Sequence, residues 1–290
     1  PLDFAVVRAP LLPVEAYRAL QSEADQLILL KDPRVLRALA AASPSLLSAV
    51  TRWKEGSLTK KDADRLASKL LMYQIRMSTR PTPFGLFAGC APVKWAEHTD
   101  LSILSSFGHS HTRPDFAWLM NLVLEAEAIP EVRRQLCYVT NPLIQFQGDR
   151  VVLAEPTPPG NSDAPVSLRA TAVVKLAVAL ARDGVGAAEL ANRLAESSAA
   201  ATPDKVERLI AQLWEQRVLL TDLRPPLTIA SPANYVLNKL TNISEAAEVR
   251  NKLSLLLDAA AEWDRAPHGQ SLSVFRALLD RCGCPEDGSK

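Results

Sequence analysis

The segment Pro81-Thr82-Pro83-Phe84-Gly85 constrains the fold more firmly than any other stretch of these 290 residues. Proline lacks a backbone N–H and pushes the residue before it out of the α region. A helix carrying Arg76 must therefore end at or just before Arg80. Beyond it, Thr82-Pro83-Phe84-Gly85 is turn chemistry, and Leu86-Phe87-Ala88 is a short apolar run. Two arginines four apart, Arg76 and Arg80, then stand at a helix end beside a rigid turn with a free Thr82 hydroxyl. The guanidinium group is a planar fork of donors that matches phosphate or carboxylate.

The helix leading in has its own signals. Thr59-Lys60-Lys61-Asp62 reads as a capping sequence, and residues 63–75 keep a helical period. At about 100° per residue, Arg65, Lys69, Tyr73, Arg76 and Arg80 share an arc of roughly 80°. Ala63, Leu66, Ala67, Leu70 and Leu71 fall on the other side. Residues 51–80 hold eight Lys/Arg against three Asp/Glu, while the whole chain is only +1. Such a concentration points to a polyanionic partner. A solvated helix face would also give a charged stripe, and the residues alone leave both readings open.

At 290 residues and 48% hydrophobic content, the chain is long enough for about two domains with ample core. No run of 18 apolar residues indicates a membrane span, and no charged-then-apolar leader indicates secretion. A start at Pro1 suggests a processed chain, a trimmed one, or part of a longer protein. Cys90, Cys137, Cys282 and Cys284 lack metal-site spacing and read as buried or incidental thiols in a reducing cytoplasm. His98, His109, His111 and His268 form no ligand pattern either.

Along the chain, residues 3–7 read as a strand, and 14–30, 33–41 and 44–53 as helices, with Ser43 as a cap. Residues 86–93 and 98–106 read as strands, and 114–128 as a helix with Asp115 at its start. That position suits an acidic cap or helix-dipole partner. Residues 143–147 and 150–154 alternate around Gly148-Asp149, a primed two-residue hairpin turn, and 156–165 reads as a loop. Helices follow over 171–182, 187–196 and from Thr202, with Pro203 in the first position. Residues 218–221 close as a strand. Hairpin, three helices and strand make a winged helix-turn-helix. DNA binding is disfavoured, because residues 150–224 carry nine Lys/Arg and nine Asp/Glu, and a DNA reader needs a basic footprint. A neutral module of this kind suits a peptide added as a strand at a sheet edge. Residues 222–227 form a boundary, and 233–240 and 244–263 read as amphipathic helices.

Arg76-x-x-x-Arg80-Pro81-Thr82-Pro83-Phe84-Gly85-Leu86-Phe87-Ala88-Gly89 resembles the signature near the amino end of class I lanthipeptide dehydratases. Residues 4–13, with Arg8, are similar to the family's opening strand. Thr112-Arg113-Pro114-Asp115-Phe116-Ala117-Trp118-Leu119 is similar to the segment that carries its aspartate. The three matches fall in the right order over roughly the first 120 residues.

The resemblance implies a cytoplasmic enzyme that takes glutamate from glutamyl-tRNA, its co-substrate, and esterifies Ser or Thr of a precursor peptide. Elimination to dehydroalanine or dehydrobutyrine would follow. No bound cofactor or metal is expected. Arg76 and Arg80 would hold tRNA phosphates or the glutamyl carboxylate, with Thr82 bonding the same group or the tRNA end. Arg8 and Asp115 would complete the pocket, and no general base stands out. Arg65, Lys69 and Tyr73 would bind tRNA. The winged module would be the precursor-peptide recognition element, with Val151, Leu153, Leu209, Leu213 and Val218 contacting the leader.

The expected fold class is α+β: an α-rich amino-terminal part with a small antiparallel sheet, a winged helix-turn-helix module, then further helices. The expected divisions are residues 1–140 and 227–290 for glutamylation and 141–226 for peptide recognition. Expected partners are the precursor peptide and tRNA, with a cyclase, an elimination domain and a second copy in a homodimer as further candidates, and no DNA. Two other readings stay open: a related peptide–aminoacyl-tRNA ligase that leaves an amide product, and a non-catalytic peptide-binding module.

Overall fold

The structure, a computed structural model, describes residues 3–18, 30–98, 110–153, 166–197 and 201–265, with Ala277, Asp280 and Arg281. It divides into two compact units, Pro1–Thr112 with Ala259–Lys290, and Arg113–Asp258. Most of the helix expected over 14–30, nearly all of the strand expected over 98–106, the 156–165 loop, His109, His268, Cys282 and Cys284 lie outside the described residues.

In the first unit, β1 (Phe4–Pro10) is followed by α1 (Val14–Arg18), α2 (Pro33–Ala42), α3 (Pro44–Lys54), α4 (Lys60–Thr79) and β2 (Ala88–Lys94). The helix starts follow local chemistry. Asp32 accepts from the Arg34 N–H, and Ser43 from the Leu46 N–H, each ahead of a proline in the first turn. Thr59 accepts from the Asp62 N–H, and its hydroxyl donates to the Asp62 carboxylate at 2.7 Å. The helix after it runs to Thr79, and Arg80 is extended at φ −114° and ψ 116°. Strands β1 and β2 pair antiparallel, with Arg8 opposite Cys90. The core gathers Val35, Leu39, Leu66, Leu70, Met77 and Phe87. Leu66 and Leu70 lie on the expected apolar side of α4, whereas Leu71 is only half-buried.

The second unit opens with α5 (Phe116–Ala128) and α6 (Pro130–Arg133). Strands β3 (Cys137–Thr140), β4 (Ile144–Gln147), β5 (Arg150–Leu153) and β6 (Val166–Arg169) follow. Next come α7 (Ala172–Leu180), β7 (Val185–Gly186), α8 (Ala187–Glu196), α9 (Pro203–Glu215) and β8 (Leu219–Thr221). The series closes with α10 (Pro232–Leu240), a 3₁₀ turn at Ser244–Ala246 and α11 (Ala247–Arg265), whose residues from Ala259 on are counted with the first unit. The fold is thus mixed α and β with small antiparallel sheets. Thr171 caps α7 through its side chain, whereas Thr202 occupies the cap position of α9 without a side-chain bond. The β4–β5 hairpin turns at Gly148, φ +61°, and no positive φ falls on Asp149. This is the pattern of a II′ turn, which puts glycine first.

Strand content is where structure and sequence reading part. Strands β3, β6 and β7 have four, four and two residues, too short for a period of two to stand out. Two three-stranded sheets result, ordered β7-β3-β8 and β4-β5-β6. The closing strand β8 pairs with β3, Tyr138 opposite Thr221, and not with the 144–153 hairpin. Strand β3, which precedes residue 141, is thereby held in one sheet with β8.

Two cores fill this unit. One packs α5 against α10 and α11 through Leu122, Val123, Ala126, Val236, Leu240 and Leu253. The other joins the three helices α7, α8 and α9 to both sheets through residues such as Tyr138, Val151, Leu190, Ile210 and Leu219.

Candidate functional site

The basic stripe of α4 changes character along its length. Arg65 and Lys69 are exposed, and among the described residues Arg65 has only a loose ion pair, 3.7 Å from Asp62. An exposed pair of this kind contributes little to stability and leaves the arginine available. One turn on, Tyr73 and Arg76 are half-buried. Tyr73 meets Phe87 edge to face at 5.5 Å between ring centroids, and Phe84 meets Phe87 at 5.6 Å. The Arg76 guanidinium carbon lies 4.3 Å from the centre of the Phe84 ring.

This cluster exists because the chain reverses after Arg80. Gly85, at φ +56°, supplies a conformation that costs other residues more, and the Phe87 N–H donates to the Phe84 carbonyl at 3.2 Å. Phe87 is then wholly buried, which anchors the turn with about 1.5–3 kcal/mol of apolar burial. Two backbone bonds lock the rest. The Leu11 N–H donates to the Phe87 carbonyl and the Leu12 N–H to the Met77 carbonyl, both at 2.9 Å. They tie the chain that follows β1, and hence Arg8, to the end of the helix that carries Arg76.

Arg80 and Thr82 are exposed at the start of the turn, and Arg8 is exposed on β1. Arg76, Arg80, Thr82, Arg8, Arg65, Lys69 and Tyr73 all belong to the first unit. Within it, the fold brings Tyr73 and Arg76 onto the Phe84–Phe87 turn. It leaves Arg80, Thr82, Arg65 and Lys69 open to solvent. A surface with an aromatic-backed guanidinium, a second arginine and a hydroxyl can receive a phosphate or a carboxylate.

Asp115 belongs to the second unit. Its Oδ1 accepts from the Ala117 N–H at 2.8 Å and the Trp118 N–H at 3.1 Å, so it is the N-cap of α5. The capping role expected from its position is present, and Asp115 remains exposed to act on something else.

The residues expected to contact a leader peptide are placed differently from one another. Val151, Leu153, Leu213 and Val218 are core residues, 1–2% exposed, whereas Leu209 is half-buried. In this structure only Leu209 of the five offers a side chain to a ligand; the other four support the surface from beneath. The exposed apolar side chains near the hairpin are instead Leu143 and Phe146. Phe146 faces Val151 across the hairpin. It lies on the same face but on the outer strand, where no further strand covers its flank among the described residues.

One constellation escapes the sequence reading altogether. Glu127, fully buried at the end of α5, receives Thr221 Oγ1 at 2.6 Å, Arg224 Nε at 3.0 Å and Arg224 Nη2 at 2.8 Å. Arg133 donates to the Glu127 carbonyl and stacks on Trp214 at 4.1 Å. These contacts fasten α5 to β8 and α9. Nearby, burial and then the Asp222 carboxylate push the Cys137 thiol up. Among the described residues no three His, Cys, Asp or Glu side chains are grouped to hold a metal ion, and no helix is long and apolar enough to cross a membrane.

Comparison with known proteins places this arrangement. The subtilin biosynthesis protein SpaB of Bacillus subtilis is 25% identical over 257 residues, covering 87% of this chain and 24% of that protein. The epidermin biosynthesis protein EpiB of Staphylococcus epidermidis is 23% identical over 248 residues, 83% of this chain and 25% of that protein. The chain therefore spans about a quarter of the length of these curated relatives. Among solved structures, the tRNA-dependent lantibiotic dehydratase MibB from Microbispora sp. 107891 superposes with a TM-score of 0.77 at 30% identity, over 97% of this chain and 27% of that one. The glutamylation domain TbtB from thiomuracin biosynthesis shares the fold, with a TM-score of 0.60 at 21% identity over 90% of this chain and 31% of that one. The family model described as lantibiotic dehydratase, N terminus, matches residues 31–286, nearly the whole sequence, and so this chain belongs to the N-terminal part of the lantibiotic dehydratase family.

Proposed function

We propose that this chain carries the amino-terminal part of a glutamylation domain, which moves glutamate from glutamyl-tRNA to Ser and Thr side chains of a ribosomal precursor peptide. In that transfer the peptide hydroxyl oxygen forms a new ester bond to the glutamyl carbonyl carbon. The bond from that carbon to the tRNA ribose breaks, and the ribose oxygen ends with the proton that the hydroxyl gave up. The logic is one of leaving groups: hydroxide is a poor one, and a carboxylate on the same carbon prepares elimination to dehydroalanine or dehydrobutyrine.

What supports this reading is the end of α4, where Arg76 lies over Phe84 and Arg80 and Thr82 follow it in the chain, both exposed, after a one-signed basic stripe. Arg76 and Arg80 would grip the glutamyl carboxylate or a tRNA phosphate, with Thr82 donating to the same group. Arg8 would join them from β1, and Asp115 would orient the glutamyl amine. Arg65, Lys69 and Tyr73 would follow the tRNA backbone. Residues 141–226 would act as a winged-helix peptide recognition element, with the leader added as a strand beside the 144–153 hairpin or β8. The half-exposed Leu143 and Phe146 favour the hairpin edge, and Leu209 adds a further apolar contact.

The test is glutamyl transfer by the complete enzyme, with labelled glutamyl-tRNA and precursor peptide, comparing Arg80→Lys with the parent. A point charge cannot replace a bidentate fork, so Arg80→Lys should lose transfer while elimination from a pre-glutamylated peptide continues. Loss of both steps together would point to a folding defect and defeat the assignment. An amide-linked product in place of the ester would favour the related peptide–aminoacyl-tRNA ligase.

A further inference from the structure

Arg76 is held in an unusual way. Its guanidinium makes no hydrogen bond or ion pair among the described residues, and its Nε is buried without a partner. What faces it is a ring: Phe84, at 4.3 Å. A guanidinium over an aromatic face is attracted by the ring's quadrupole, and stacking fixes the plane of the fork. The ring is itself fixed. Phe84 rests on Phe87, Phe87 is wholly buried, and Tyr73 meets Phe87 edge to face. The flanking Pro83 and the positive φ of Gly85 set the backbone on both sides. Phe84 is nevertheless 41% exposed. An exposed phenylalanine, rigidly mounted and turned against a half-buried arginine, is poorly explained as core packing.

We infer that Phe84 is the positioning residue for Arg76: it holds the guanidinium plane ready to receive a planar anion, carboxylate or phosphate. The positional part stands on geometry alone. Its kinetic consequence rests on the glutamyl-transfer reading above. With the ring in place, less side-chain freedom is lost when the anion binds, and the donors are aligned beforehand. Without it, Arg76 keeps its charge but not its pose. A stacked pair of this kind corresponds to a factor of roughly 2 to 30 in an equilibrium or a rate.

The experiment uses Phe84→Leu and Phe84→Tyr, with two readouts. The first is water exchange of the Arg76 Nε–H by nitrogen-resolved NMR of the chain, the signal being assigned by its loss in Arg76→Lys. Exchange should be slow in the parent and in Phe84→Tyr, and about tenfold faster or more in Phe84→Leu. The second is kcat/KM for glutamyl transfer by the complete enzyme, which should fall roughly 2- to 30-fold in Phe84→Leu and return in Phe84→Tyr. Unchanged exchange in Phe84→Leu would overturn the inference, whatever the kinetics. So would a loss of transfer that Phe84→Tyr does not restore. If the parent enzyme transfers no glutamate, the functional reading fails while the exchange measurement still decides the positional one.

Discussion

Arg224→Met should destabilise the Arg113–Asp258 unit by about 3 kcal/mol, and Glu127→Gln by about half as much. Glu127 has no exposed side-chain surface, whereas Arg224 keeps 22% of its own. Removing the arginine strands a carboxylate that has no exposed surface of its own in the parent fold and leaves it, among the described residues, the Thr221 hydroxyl. One-sided loss of a buried pair costs roughly 3–5 kcal/mol. The lower end applies here, because the arginine lies near the surface and water can enter the place it vacates. Glu127→Gln removes the charge but keeps an oxygen that can accept from Thr221, and the stranded Arg224 can rehydrate. About 1.5 kcal/mol, the value of one charged hydrogen bond, is then lost. Glu127→Met with Arg224→Met leaves no charge to strand and should lie within about 2 kcal/mol of the parent. Native-state hydrogen exchange, read by mass spectrometry on peptides from 116–128 and 219–224, reports the local free energies. Protection should drop ~150-fold in Arg224→Met, the equivalent of about 3 kcal/mol. If Glu127→Gln proves costlier than Arg224→Met, or the double variant costlier than either, packing and not stranded charge sets the penalty, and the reasoning fails.

Three shorter predictions concern the site. Reversing Arg65 and Lys69 to Glu should weaken tRNA binding and reduce its salt dependence; equal affinity before and after reversal would make the stripe a solvated face. Asp115→Asn should preserve the α5 cap and stay within about 0.5 kcal/mol in stability, while Asp115→Ala costs about 1 kcal/mol. If Asp115 also serves the chemistry, both should lose transfer alike, and full activity in Asp115→Asn would reduce it to a cap. A proline in the middle of the leader strand should weaken leader binding strongly by removing a ladder donor, whereas Arg76→Lys should not change it; an effect of Arg76→Lys on leader affinity would refute separate surfaces for recognition and chemistry.

What could be read from the residues alone was whatever local chemistry decides. The Thr59 cap, the stop before Pro81, the Gly148 turn and the helix starts at Pro33 and Pro44 each depend on a few neighbouring residues. The Glu127 network depends on none of them. Its partners lie 94 and 97 residues away, and a glutamate near the end of an apolar helix looks like a surface residue until the fold brings Arg224 to it. Phe84 is a milder case: it reads as part of a turn, and its role appears only when the turn folds back against Arg76.

The apolar residues teach a subtler point. Alternation marks Val151 and Leu153, and helical period marks Leu213, because all three are buried. A period reports the buried face of an element and cannot distinguish a core from a groove that a ligand will later cover. Residues that contact a ligand must be accessible before it arrives, so in the free chain they look like misplaced apolar surface. Leu143 and Phe146 fit that description, at 52% and 49% exposed on or beside an outer strand, and Phe84 does so beside Arg76. In a chain of this kind, the side chains that break the pattern are therefore better candidates for recognition than those that complete it.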